Sequence, residues 1–339
     1  MHSTYIVGTP IHNYTKILSN AFNANGIATD FEVYKKPNAF FKSIPILSTW
    51  YKKYFEKRGG DEKYRHISSN SLDFDLLILF GVSYISREKL LYLKQKRNFK
   101  ILLWFVDSIN AYKQFYDVID IADFIICYNQ SDAIKLKEKG LNSLFLPLAY
   151  DSETYYYRGR KIEYDIYFIG TLKSRIKYFE QYLTLLNAPN LRIRIDGKLS
   201  LLFRLKNRKK YPLFFKCHTN KRLTHSEICD VYNRSKICLN LQPEQAVSGF
   251  SIRTFEICGA GGFQLTDGNY SLLNEIYTIG KDIEYFSNIE DLVKITHNYL
   301  DEKNDHKRKE IARNGYINAV SNHSFLKRVQ EVIAFIKYN

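Results

Sequence analysis

One stretch of the sequence, Ser248–Asp267, holds the residue types that are best suited to chemistry. It follows a predicted strand and contains a short predicted helix, Ile252–Cys258. The residues before this helix leave backbone N–H groups at the positive end of the helix dipole, which favours a bound anion. Gly249 has no side chain and lets the loop backbone come close to a phosphate. The loop formed by Gly249, Phe250 and Ser251 is therefore predicted to bind a diphosphate.

Arg253 and Glu256 are three residues apart, so they share one face of this predicted helix. Arg253 lies near the helix N-terminus and could give charge-assisted hydrogen bonds to a diphosphate. A carboxylate beside a diphosphate would be repelled, so Glu256, one turn deeper, is better suited to accept bonds from ribose hydroxyls. The alternative is an ordinary surface pair, which stabilises a helix by about 0.2–0.5 kcal/mol.

Two residues in the first half are candidates for a general base. His12 lies in the loop after the first predicted strand, and Asp107 follows the apolar run ILLWFV. A base at a strand end could reach a hydroxyl group in a cleft. The alternative for each residue is a capping or structural role.

Short apolar runs rich in β-formers alternate with helical patterns along the chain. Runs that are buried on both faces and separated by helices indicate a parallel, doubly wound sheet. The pattern predicts an α/β protein of two Rossmann-like domains that face each other across a cleft, where such sheets bind ligands. The predicted strands are Thr4–Gly8, Thr29–Tyr34, Asp75–Phe80, Ile101–Val106, Phe124–Tyr128, Leu144–Pro147, Tyr164–Ile169, Leu191–Ile195, Ile237–Leu241 and Phe263–Thr266.

The domain boundaries follow from a break in this rhythm at Pro147–Arg160. We expect a first domain at 1–150 with an insertion at about 36–72, a linker at 151–160, a second domain at 161–322, and a helix at 323–339 that crosses back to the first domain. The other predicted helices are His12–Asn25, Ser131–Lys139, Ile176–Leu186, Ser226–Ser235, Ile289–Leu300 and Asp305–Val320.

The composition limits the classes of partner. The chain has 50 basic and 35 acidic residues and a formal charge of +15, which favours anionic partners. It has no zinc-finger spacing, no aromatic RNA-binding strand pattern and no helix-turn-helix signal, so we expect no nucleic acid. Five scattered cysteines without a CxxC pair fit a reducing cytoplasm. The sequence begins without a signal-peptide pattern and has no apolar run long enough to span a membrane.

Two segments, 40–60 and 199–216, mix Lys and Arg with large apolar side chains. This mixture suits a surface that lies on anionic lipid. The alternative is an amphipathic insertion whose aromatic side chains pack on its own domain. We therefore expect a cytoplasmic protein, with peripheral attachment to the inner face of the cytoplasmic membrane as a hypothesis.

The runs SKICLNL (235–241) and RTFEICGAGGFQLTD (253–267) resemble the C-terminal donor domain of the CgeB-like glycosyltransferases. This family lies near the "glycosyl transferases group 1" of the GT-B superfamily. The similarity continues through Gly280 and Asp282 to IARNGYINAVSNHSFLKRV (311–329), and upstream to DIYFIGTLKSRIKYF (165–179). The resemblance implies the GT-B architecture and a nucleotide-sugar donor.

The resemblance also implies roles for individual residues. Glu256 would hold the ribose of the nucleotide, while Arg253 and the backbone of 249–251 would lie near the diphosphate. The loop after Ile169 begins with Gly170 and would bring Arg175 and Lys173 to the leaving group. Fixed cations stabilise the negative charge that the departing nucleoside diphosphate gains in the transition state, so we expect no metal and no cofactor.

One position departs from the family pattern. Many retaining members carry a second glutamate eight residues before the ribose-binding one, and this chain has Ser248 there. The stereochemical outcome, retaining or inverting, is therefore open.

The sequence thus predicts a hexosyltransferase-type enzyme that moves a sugar from a nucleotide-sugar, with a UDP-sugar expected from its frequency among such donors. The acceptor would be a cell-surface glycan or a lipid-linked saccharide, as in polysaccharide biosynthesis. The alternatives are a non-catalytic structural or coat protein of the same fold and a nucleotide-sugar epimerase.

Overall fold

The computed structural model describes residues 1–9, 13–33, 67–68, 73–81, 85–112, 116–243 and 248–339. It divides into two compact units, the first formed by Met1–Leu148 with Phe325–Asn339 and the second by Ala149–Ser324. His12, segment 40–60 and nearly all of the predicted insertion at 36–72 lie outside the described residues. Within those residues, no helix combines the length and the apolar character that are needed to cross a bilayer.

The described part of the first unit contains a parallel six-stranded sheet in the order β2-β1-β3-β4-β5-β6. All five residues of β3 are buried, as expected for a strand that is covered on both faces. The strands are β1 Ser3–Gly8, β2 Ala28–Val33, β3 Leu76–Phe80, β4 Lys100–Trp104, β5 Phe124–Cys127 and β6 Ser143–Phe145, and the helices are α1 Tyr14–Ala24, α2 Arg87–Lys96 and α3 Gln130–Glu138.

The second unit contains another parallel six-stranded sheet, in the order β12-β11-β10-β7-β8-β9. The winding direction reverses between β7 and β10, and sheets of this kind bind ligands beyond the carboxyl ends of the strands at that point. The strands are β7 Tyr164–Ile169, β8 Ile193–Asp196, β9 His218–Thr219, β10 Ser235–Asn240, β11 Gln264–Thr266 and β12 Glu284–Tyr285.

Eight α-helices are described between Ala149 and Ser324. Two of them, α5 and α6, form the segment at 199–216 that interrupts the predicted rhythm. The helices are α4 Ile176–Leu186, α5 Leu201–Asn207, α6 Pro212–Cys217, α7 His225–Asn233, α8 Arg253–Gly259, α9 Tyr270–Ile276, α10 Ile289–Leu300 and α11 Asp305–Asn322.

The last helix, α12 (Phe325–Tyr338), belongs to the first unit. The rings of Phe325 and Tyr14 of α1 are 5.7 Å apart, and Phe335 packs edge-on against Phe124 of β5 at 5.6 Å. The guanidinium of Arg328, which is 4% exposed, donates to the carbonyl of Pro147 at 2.9 Å. Through these contacts the C-terminal helix packs on the first Rossmann-like unit.

Candidate nucleotide-sugar site

Arg175 lies where the winding of the second sheet reverses. Its guanidinium donates to the carbonyls of Leu241 and Gln242, just after β10, at 3.0 and 3.2 Å. It also donates to the carbonyl of Thr171, in the loop that follows β7, at 3.2 Å. One cation therefore joins the carboxyl ends of β7 and β10. Lys173, in the same loop, is exposed.

The loops after β7 and β8 approach each other closely. A Cβ atom on Gly197, which follows β8, would lie 2.5 Å from the carbonyl oxygen of Gly170. A Cβ on Gly170 would lie 2.9 Å from the ring of Phe168. Gly197 is therefore required if the two backbone segments are to stay in contact, and a side chain at position 170 would displace the Phe168 ring.

Gln242 fixes the loop that leads into α8. Its side-chain oxygen accepts the backbone N–H of Ser251 at 2.7 Å, and its amide nitrogen donates to the hydroxyls of Thr254 and Thr266 at 3.0 and 3.3 Å. The Gln242 N–H donates to Asp267 at 2.6 Å. One side chain thus connects β10, β11 and the entry to α8, and the Ser251 N–H predicted to meet a phosphate is bonded to Gln242 in this structure.

The other two residues of this loop are both buried. Gly249 lies in the bend before α8, and Phe250 is 1% exposed and packs edge-on against Phe255 with the ring centroids 6.0 Å apart. Phe250 therefore anchors the loop in the core, and its backbone is the part that could meet a ligand.

Arg253 and Glu256 form an ion pair in the first turn of α8. The pair is not an ordinary surface pair, because Glu256 is 1% exposed. Burial alone would raise the pKa of the Glu256 carboxyl, but the charge of Arg253 and hydrogen bonds from His225 and Tyr155 hold that pKa below its ordinary value. Glu256 is therefore a buried carboxylate that stays ionised.

Tyr155 and His225 complete this cluster. The Tyr155 hydroxyl lies 2.7 Å from Nδ1 of His225, which is 3.7 Å from the Glu256 carboxylate. Burial, together with the charge of Glu256, raises the pKa of the Tyr155 phenol, so the phenol keeps its proton and can donate it in a hydrogen bond. No local sequence pattern marks either residue, since Tyr155 falls in the predicted linker and His225 is the first residue of α7.

A second buried carboxylate lies at the end of β8. Asp196 is fully buried and accepts from the Tyr167 hydroxyl at 3.1 Å and from Nε of Arg194 at 2.9 Å, with Thr219 as a third donor. Tyr232 lies between this group and the Glu256 cluster, with ring centroids 5.5 Å from Tyr167 and 6.4 Å from Tyr155.

In the first unit, Asp107 follows β4 and its carboxylate accepts the N–H of Ser108 at 2.8 Å. Asp132 of α3 holds the same loop, since it accepts from the Ser108 hydroxyl at 3.3 Å and from the Ile109 N–H at 3.1 Å. Asp107 is half-buried and caps its own turn. Across the described ranges, no three His, Cys, Asp or Glu side chains are grouped as a metal site would require.

Comparison with known proteins agrees with the fold. The sequence model of a family described as "Glycosyl transferase-like" matches residues 177–334. A sucrose-phosphate synthase from Thermosynechococcus elongatus has a similar structure, with a TM-score of 0.70 and 12% identity over 99% of each chain. A glycosyltransferase from Rickettsia africae has a TM-score of 0.67 and 11% sequence identity, over 99% of this chain and 98% of the other.

Anabaena HepE in complex with UDP and glucose gives a TM-score of 0.62 at 9% identity, over 100% of each chain. No curated protein sequence matches the chain.

Two parallel six-stranded sheets with flanking helices give the chain the GT-B architecture, and the sequence match identifies residues 177–334 as a glycosyltransferase-like segment. The match to the glycosyl transferase-like family covers residues 177–334, which lie almost entirely in the second unit. The narrower CgeB-like assignment stays a prediction.

Proposed function

We propose that the second unit binds a UDP-sugar at the carboxyl ends of β7, β8 and β10. The observation that carries this proposal is the placement of Arg175, a cation fixed by three carbonyls at the reversal point of a doubly wound sheet. The choice of UDP is supported by Anabaena HepE, whose structures contain UDP, UDP with glucose, and UDP-glucose.

The reaction we propose is transfer of the sugar to an acceptor hydroxyl. As the bond between the sugar and the diphosphate breaks, negative charge grows on the departing diphosphate. Arg175 and Lys173, after β7, supply positive charge for that oxyanion, and interactions that strengthen in the transition state accelerate the reaction. We therefore propose a metal-independent enzyme, whose donor hydrolysis is expected to be unchanged by EDTA.

Glu256 is the proposed ribose ligand. Its carboxylate is covered by Arg253, Tyr155 and His225, and the His225 side chain is 31% exposed. His225 is more exposed than Arg253, whose side chain is 18% exposed, so we expect a ribose to reach Glu256 by displacing His225, with two sugar hydroxyls replacing the bonds that the carboxylate now accepts. Exchange of like bonds explains how a buried carboxylate can be a binding group without a large desolvation cost.

The acceptor is proposed to bind the first unit, with Asp107 as the general base if the enzyme uses one; His12 is the second candidate. Asp107→Asn preserves an oxygen that can accept the Ser108 N–H. We expect this variant to lower sugar transfer by about 10²–10⁴-fold while UDP affinity stays unchanged. Unchanged transfer would remove Asp107 from the reaction.

Peripheral contact with anionic lipid is proposed for α5. Three of its leucines are unusually exposed, Leu201 at 65%, Leu202 at 81% and Leu205 at 64%. Arg204 and Lys206 lie on the same short helix, so apolar and cationic groups are presented together. This arrangement supports a membrane-bound glycan or lipid-linked acceptor and a cytoplasmic location at the membrane face.

Sedimentation with phosphatidylglycerol vesicles tests the lipid contact. We expect the triple change of Leu201, Leu202 and Leu205 to Ser to abolish co-sedimentation, since each exposed leucine would lose its apolar contact with lipid. Leu185→Ser is the control, because Leu185 is an exposed leucine at 45% outside α5. Equal binding of the two variants would contradict the proposal.

Thermal shift and calorimetry with UDP, GDP, CMP and dTDP test the donor site. We expect UDP to stabilise the protein most, and Arg175→Ala to weaken UDP binding by about 10–100-fold because it removes charge-assisted bonds. Arg192→Ala is the matched control. Arg192 is an exposed arginine that lies just before β8 and pairs with Asp165 of β7. If no nucleotide shifts the melting temperature, the donor site is refuted and a non-catalytic role gains support.

A further inference from the structure

A cavity of about 620 Å³ lies in the second unit at the edge of the sheet opposite the donor site. Its lining includes Ile162, just before β7, Ser235, the first residue of β10, and Phe263, just before β11. These positions are at the amino ends of the strands, whereas Arg175 and Gln242 are at the carboxyl ends. The volume is within the range of small-molecule sites.

The lining is cationic and aromatic. It contains four basic side chains and three tyrosines, and no acidic residue is among the lining residues. The basic residues are Arg160, Arg308, Lys309 and Arg313, and the tyrosines are Tyr157, Tyr232 and Tyr316.

Helix α11 supplies one wall through the spacing of its residues. Arg308, Ala312 and Tyr316 follow one another at intervals of four, and Lys309 and Arg313 form the adjacent row. Residues at this interval lie on one face of a helix. Three cations and an aromatic ring are therefore directed to the same cavity by a single rigid element.

Nearby carboxylates do not neutralise the four cations. Asp305 is shared by Arg308 and Lys309. Asp230 pairs with Arg160 at 3.0 Å but also with Arg234 at 2.8 Å. Arg313 has no ion pair with any residue that the structure describes. The cavity therefore has an excess of positive charge.

Arg308 shows that part of this charge is built into the fold. The residue is 5% exposed, and its guanidinium donates to the carbonyl of Lys236 at 3.1 Å. A cation so deeply buried is costly unless anions compensate it. Asp305, its carboxylate partner, is itself shared with Lys309, so an anion in the cavity would improve the balance.

We propose that this cavity is a second ligand site, for a small molecule that carries a phosphate or diphosphate group. Guanidinium groups bind phosphate oxygens in pairs, and the tyrosine rings, with Tyr157 and Tyr316 6.4 Å apart, form an apolar wall for the rest of the ligand. The site is separate from the donor site, although Tyr232 lines the cavity and also packs on the Glu256 cluster.

Calorimetric titration with inorganic pyrophosphate tests the proposal, since pyrophosphate can occupy both sites. We expect two binding events in the unchanged protein. In the double variant Lys309→Ala/Arg313→Ala, the affinity of the cavity for pyrophosphate should fall by at least about tenfold. Arg175→Ala should instead weaken pyrophosphate binding at the donor site. Both changed residues of the double variant are exposed, so the fold should be preserved.

Lys307→Ala is the control, because Lys307 is an exposed lysine of α11 that does not line the cavity. Unchanged pyrophosphate binding in the double variant would overturn the proposal, whatever the result for UDP at the donor site. If pyrophosphate binding is lost, sedimentation with phosphatidylglycerol vesicles identifies the source of the phosphate. Loss of vesicle binding in the double variant indicates a lipid headgroup, and retained vesicle binding indicates a soluble ligand.

Discussion

The two units share a parallel, wound sheet, but they differ at the carboxyl ends of the strands where the winding reverses. In the second unit that edge carries the guanidinium of Arg175 and the amide of Gln242. In the described part of the first unit, the loop after β3 begins with Gly81, at φ +64°, where a Cβ would lie 3.0 Å from both Thr9 and Val106. One edge presents a fixed cation, whereas the described part of the other is closely packed and its charged groups near β4 are the carboxylates of Asp107 and Asp132.

This difference is informative about how the fold is used. Under the proposed function, the anionic nucleotide binds where a cation and an amide are anchored by neighbouring strands, and the acceptor hydroxyl compound binds the first unit. We therefore expect changes at the second edge to act on nucleotide binding and changes in the first unit to leave it intact.

Deletion of Phe325–Asn339 is the most severe test of whether nucleotide binding by the second unit is independent of the first unit. It removes Phe325, Val329 and Val332, which are buried in the first unit, and each buried side chain of this kind contributes about 1.5–3 kcal/mol. We expect the first unit to lose its cooperative melting transition while the second still binds UDP. Calorimetric scanning with and without UDP measures both, and Tyr338→Ala, an exposed residue of the same helix, is the control.

Arg253→Ala should have the next largest effect. It leaves the Glu256 carboxylate buried without its main counter-charge, which costs about 3–5 kcal/mol of unfolding free energy. The double change Arg253→Met/Glu256→Leu removes both charges and should recover much of that loss, although neither variant should bind UDP. Urea denaturation separates the two effects, and a double variant less stable than Arg253→Ala would contradict the assignment.

Gln242 and Asp132 cap loops at the carboxyl ends of the two sheets, so substitutions at these residues allow a direct comparison of the two units. Gln242→Ala and Asp132→Ala each remove the acceptor of a backbone N–H at the end of a sheet, so each should cost about 1–3 kcal/mol. Only Gln242→Ala should also weaken UDP binding, because only Gln242 positions the loop before α8. Equal UDP affinity in both variants would show that UDP binding does not depend on the hydrogen bond between Gln242 and Ser251.

The smallest expected effect is the acid sensitivity of the second unit. Since the pKa of Glu256 is lowered from its ordinary value of 4.5, its stabilising contribution is complete above about pH 4.5 and is lost as the pH falls through the lower, folded-state pKa. Melting temperatures measured from neutral to acid pH should therefore decline less steeply for Glu256→Gln than for the unchanged protein. Parallel curves would mean that Glu256 does not titrate in this range.

Much of the fold follows from local sequence patterns. The predicted elements Tyr164–Ile169, Ile176–Leu186 and Ile289–Leu300 agree with the structure at both ends. Helix α2 was missed, because REKLLYLKQK buries only Leu90 and Leu93 and gives a weak apolar stripe. The two-residue strands β9 and β12 have no period that a sequence could display.

The site was less accessible to sequence reasoning. The contact between Arg253 and Glu256 follows from their helical spacing, since residues three apart meet on one face. Tyr155 and His225 reach Glu256 from positions 101 and 31 residues earlier in the chain, so no local pattern joins them. Their roles depend on tertiary packing, as does the bond that Gln242 makes to Ser251.

The return of α12 to the first unit has a consequence for how the protein is made. Chains leave the ribosome from the N-terminus, and domains generally fold as they emerge. The second unit is one continuous stretch, Ala149–Ser324, and can close as soon as it has been synthesised. The first unit is translated earlier but is completed only when Phe325–Asn339 appears, so the apolar face of α1 stays without its partner helix until that segment has been synthesised.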